Sequence, residues 1–67
     1  MTAAAFRFWL AVMKERHGWK IRDAVKALGC SPNQPRRWSE NGAPAYVALA
    51  CAALAAQLAP WQRELDP

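Results

Sequence analysis

The 67-residue chain has one histidine, two cysteines and only five acidic residues. His17, Cys30 and Cys51 fall short of the four ligands of a structural zinc site, and two cysteines cannot build a disulfide-dense secreted scaffold. A reducing, cytoplasmic setting is therefore the expectation. Arg7, between Phe6 and Phe8, breaks the stretch where a secretion signal would place an uninterrupted apolar run. The segment from Ala45 to Ala59 is apolar but sits between Pro44 and Pro60, short of the roughly 20 residues that span a bilayer. It reads as a core or interface helix, with no membrane partner. The sequence also lacks a glycine-rich phosphate loop, a nucleophile paired with a base, and carboxylates at metal-binding spacing. These absences point to a protein that is not an enzyme, with no metal, cofactor or small-molecule ligand.

Hydrophobic residues make up 54% of the chain and four are tryptophan, which favours a packed core over disorder. The length fits one domain, residues 1–67. A domain this small buries only about 60% of the surface its unfolded chain exposes, so association with a second copy is a natural source of stability. Net charge is +4 and is distributed unevenly. Residues 1–37 carry eight basic side chains against two acidic ones, whereas the remainder carries one against three. One-sided basic charge suits approach to a polyanion, nucleic acid ahead of an acidic membrane.

Periodicity predicts an all-α protein of four helices. Thr2 can cap a first helix in which Phe6, Trp9, Leu10 and Met13 form an inward stripe, with Gly18 as its end. Phe8 and Val12 lie on another side. Ile21, Ala24, Val25 and Leu28 repeat the same spacing in a second helix that stops at Gly29. Ser31 and Pro32 carry the signature of a capped helix start, which predicts a third helix running to Glu40 or Asn41. Pro35 conflicts with that start, because at the fourth helical position its missing N–H would leave the Ser31 carbonyl unpaired. The alternative is a later start with Gln34 outside and Pro35 first. A fourth helix over about 44–59 places Val47, Ala50, Cys51, Leu54 and Leu58 on one face, with Pro60 as its stop and Trp61 as an anchor for the tail.

Two helices joined by a tight glycine turn, the second exposing polar side chains and tucking an aromatic inward, form a helix-turn-helix over about 20–41. Ala24, Val25, Leu28, Gly29, Cys30, Ser31, Pro32 and Trp38, with Pro44, Tyr46, Leu49 and Ala50 downstream, resemble the small lambda-repressor-like regulators of the XRE group. That group includes short single-domain phage and prophage proteins; anti-CRISPR-associated regulators share this size and architecture. The resemblance covers about residues 6–58. Gly29 and Cys30 match the family's turn, and Pro35 and Trp38 match its inward recognition-helix positions. Val25 replaces the usual alanine between the helices, Ile21 a polar residue, and Pro35 a β-branched one. The resemblance implies a compact four-helix DNA-binding domain and a transcriptional repressor that autoregulates its own operon.

In that geometry the third helix enters the major groove and the second crosses the backbone. Asn33, Gln34, Arg36 and Arg37 are the expected base readers, since Arg pairs bidentately with guanine and Asn or Gln with adenine. Lys20, Arg22 and Ser31 are expected to hold phosphates. Reading two half-sites of an inverted repeat, about 34 Å apart, calls for a homodimer. Tyr46, Leu49 and Ala53 on the fourth helix are the first expected interface, and Phe8 and Val12 the second. Plainer roles accompany these. Trp9, Trp19 and Trp38 serve as core, Cys30 and Cys51 as inert buried thiols, His17 as a solvated helix end, and Glu40 as an ion-pair partner for Arg36 or Arg37. The rival function is a small helical protein-interaction module or inhibitor.

Overall fold

The Thr2 hydroxyl accepts the Ala5 N–H at 3.0 Å, satisfying one of the free donors of the first turn and starting a helix where the sequence places it. The computed structural model describes residues 1–58, which form four helices and no strand. These are α1 (Ala3–His17), α2 (Ile21–Leu28), α3 (Gln34–Asn41) and α4 (Ala45–Ala55). The chain is thus an all-α domain, and its second and third helices span the expected helix-turn-helix segment. Of the described residues, no helix is long and apolar enough to cross a membrane.

Phe6, Met13, Val47 and Cys51 are almost wholly buried, and Trp9 and Trp38 nearly so. Phe6 sits between the two indoles, 5.7 Å from Trp9 and 5.5 Å from Trp38, the latter edge-on, in arrangements that aromatic quadrupoles favour. Trp9 also ties α1 to α4, its Nε1–H donating to the Cys51 carbonyl at 3.0 Å. Trp19 is half-buried and meets Trp9 edge-on at 6.1 Å. The three tryptophans therefore serve the core. Trp61 and Pro60 lie outside the described residues.

Both cysteines are free. Burial pushes the Cys51 thiol up to about 11, and burial also raises Cys30. Each therefore holds its proton and is a poor nucleophile.

Three expectations need correction. Ser31 and Pro32 do not start α3. Asn33 is its cap, Gln34 its first residue and Pro35 its second, so the N–H that Pro35 lacks is one the first turn leaves unpaired anyway. The Ser31 carbonyl accepts the Gln34 N–H at 3.1 Å instead. The fourth helix ends at Ala55, short of residue 59. Gln57 takes the left-handed region at φ 59°, Leu58 N–H donates to Ala53 O at 2.9 Å and Gln57 N–H to Leu54 O at 3.0 Å. This closure carries Leu58 past the helix end and leaves it exposed rather than on the inner face. Ile21, finally, is exposed at the start of α2 while Ala24 takes the buried position against the core.

All three glycines take a positive φ, and Gly29 and Gly42 shape the connections around α3. Gly29 ends α2 at φ 64°, with its N–H on Lys26 O and Cys30 N–H on Val25 O. A side chain there would meet nothing, so the left-handed conformation alone demands glycine. Gly42 has φ 91° and, in addition, a Cβ would lie 2.9 Å from the Met1 carbonyl. That carbonyl accepts the Ala43 N–H at 2.8 Å, and the Met1 amino group returns a bond to the Ala43 carbonyl at 3.0 Å.

Candidate nucleic-acid interface

Pro35 and Trp38 are buried, and on a helix their shared inward direction turns the intervening positions out. Asn33, Arg36 and Arg37 are exposed as expected; Gln34 is half-buried, so less of its amide is free than the sequence suggested. Asn33, Arg36, Arg37 and Glu40 line one shallow surface depression. Arg36 Nε–H donates to Glu40 Oε1 at 3.2 Å, a solvent-exposed pair one turn apart. Such a pair contributes a few tenths of a kcal/mol at most, so Arg36 can exchange the carboxylate for another acceptor at little cost. No ion pair involving Arg37 occurs among the described residues.

The α3 platform is braced from below. Ser39 Oγ–H donates to Pro35 O at 2.8 Å, occupying a polar side chain within the helix. The Arg7 guanidinium donates to the Ser39 carbonyl and so links α1 to the far half of α3. This role of Arg7 was not legible locally, because it joins positions 32 residues apart.

Lys20, Arg22 and Ser31 are all exposed. Lys20 caps α2; its backbone N–H donates to Asp23 Oδ2 at 2.7 Å, which fixes the start of the helix while leaving the ammonium unspent. Ser31 lies in the turn before α3. Lys26 is also exposed on α2, one turn after Arg22, and adds a basic group that the sequence reading passed over. Its spacing from Arg22 was the available signal.

The expected assembly surfaces are also open to solvent. Leu49 is 75% exposed, Phe8 73% and Tyr46 69%, while Val12 and Ala53 are half-buried. No group of three or more potential metal ligands occurs among the described residues. No protein-family model, no curated protein and no solved structure matches the chain.

Proposed function

We propose that the chain is a sequence-specific double-stranded DNA-binding repressor that acts as a homodimer on an inverted repeat in its own promoter region. The observation that carries this reading is the outward row of Asn33, Arg36 and Arg37 on a helix pinned by buried Pro35 and Trp38. Arginine presents two donors matched to guanine O6 and N7, and asparagine a donor and acceptor matched to adenine. Five residues, opening with the left-handed Gly29, connect this helix to α2, whose exposed Lys20 and Arg22 supply cations for the phosphate backbone. The DNA reading draws on the lambda-repressor-like resemblance for its docking geometry.

Fluorescence anisotropy against DNA from upstream of the protein's own gene and a shuffled control, at near-physiological salt, tests the proposal. Preference for the native sequence is expected, and the Gln34→Ala, Arg37→Ala double variant should lose that preference with an unchanged circular dichroism spectrum. Each lost bidentate contact corresponds to about 1–3 kcal/mol of discrimination. A double variant that still distinguishes the two sequences would overturn the recognition-helix assignment.

The exposure of Phe8, Tyr46 and Leu49 favours a second reading, a module that binds a partner protein through its apolar faces. Under it, substitutions at these three positions would matter more than changes on α3.

A further inference from the structure

A groove of about 300 Å³ opens between the second half of α1 and the start of α2. It exists because two small residues stand among large ones. Ala24 is fully buried at its floor and Ala11 is exposed at its mouth, whereas Leu10, Trp19 and Ile21 form its walls. Ile21 is left 52% exposed beside half-buried Leu10 and Trp19, so apolar surface remains there for an occupant to cover. The charged residues lining the groove are of one sign. Lys14 and Lys20 line it and are exposed, and no acidic residue lines it; the nearby Asp23 carboxylate is engaged with the Lys20 backbone N–H.

An apolar slot with a few convergent charged groups is the usual composition of a small-molecule site, and this volume is at the lower end of such sites. A medium-length alkyl chain or a two-ring aromatic body occupies a similar space. From the apolar walls and the two exposed lysines that line it, we infer that the groove binds a small amphipathic carboxylate, its body against Leu10, Trp19 and Ile21 and its anion between Lys14 and Lys20. Charge complementarity selects an anion over a neutral or cationic amphiphile, and the volume suits a small molecule.

The site has a regulatory consequence that rests on the DNA reading above. Lys20 is one of the cations assigned there to the phosphate backbone, so a carboxylate held by Lys20 competes with DNA for it. The regulator would then have an effector site within its DNA-binding domain.

Decanoate is a suitable probe, added to the full-length protein without DNA and followed by heteronuclear NMR. Saturable binding of one decanoate per chain is expected, with shifts concentrated at Leu10, the Trp19 indole and Ile21. The Lys14→Ala, Lys20→Ala double variant should bind about tenfold more weakly, as should decanol to the wild type. Ala11→Leu fills the mouth at an exposed helical position and should abolish binding without loss of fold. Absence of saturable binding, decanol binding as tightly as decanoate, or shifts spread over Tyr46 and Leu49 would each overturn the proposal. So would displacement of decanoate by an acidic, leucine-rich peptide that binds more tightly. In a second arm, decanoate should weaken DNA binding by the wild type and leave Ala11→Leu unaffected. Because the first arm contains no DNA, failure of the DNA reading and failure of the groove are separately visible.

Discussion

At the scale of single residues, burial sets the chemistry of Cys51. Its thiol is raised from 9.0 to about 11 by desolvation, which penalises the thiolate. Below pH 9 both folded and unfolded chains hold the proton and the shift costs nothing. As pH rises from 9 toward 11 the unfolded chain releases it while the folded chain does not, so stability falls across that window. Cys51→Ala isolates the cysteine's share. Urea unfolding at pH 8, 9.5 and 10.5 should show the wild type losing more stability than Cys51→Ala; a constant difference between them would remove the effect. Residue roles were unevenly legible in the sequence. The inward direction of Pro35 and Trp38 follows from their spacing, and so does the outward direction of Arg36 and Arg37. The partial burial of Gln34, the bond from Arg7 to the Ser39 carbonyl and the pairing of Met1 with Ala43 depend on contacts between distant positions. Local periodicity carries no information about these.

Among the elements, α1 and α2 have the boundaries that Thr2, Gly18 and Gly29 signal, because cap chemistry and the apolar stripe agree there. The start of α3 set two signals against each other. Ser31–Pro32 is a strong local start, but Pro35 three positions later would deprive that first turn of a hydrogen bond, and the backbone adopts the start that spares it. The end of α4 was missed for another reason. Its terminator is a left-handed Gln57, not glycine or the downstream proline, and glutamine gives no sequence signal for that conformation. Gln57→Gly removes the side-chain penalty at φ 59° while retaining the two closing bonds from Gln57 and Leu58. Relief of a left-handed penalty of roughly 1–2 kcal/mol outweighs the roughly 0.5–1 kcal/mol that glycine costs in chain entropy, so the substitution should stabilise the domain, read as a higher midpoint in chemical denaturation with an unchanged slope. A lower midpoint would show that Gln57 contributes more through its side chain than it loses through its backbone.

For the whole molecule, the decisive contrast is between a basic first half and a fourth helix without charge. From Ala45 to Ala55 the only side chain with a hydrogen-bonding group besides the Cys51 thiol is Tyr46. A helix apolar on every side is normally covered on every side, yet here Val47 and Cys51 face the core while Tyr46 and Leu49 face solvent. Two copies of a cationic chain repel each other wherever their charged surfaces meet, and the outer face of α4 avoids that cost. Its alanines allow close approach and Leu49 supplies the protruding side chain, so in the proposed homodimer a two-fold pairing of α4 with its own copy would bury the exposed apolar surface of both. Leu49→Arg should therefore convert the proposed dimer to a monomer in sedimentation at micromolar concentration, with helicity unchanged because the side chain is already 75% exposed. Affinity for an inverted repeat should fall toward that for a single half-site, since the two reading helices are no longer tethered. A Leu49→Arg protein that remains dimeric would move the interface to Phe8 and Val12, where Phe8→Arg makes the same test. A wild type that sediments as a monomer and occupies DNA as one copy per site would instead remove the dimer, and leave the outer face of α4 to a different protein.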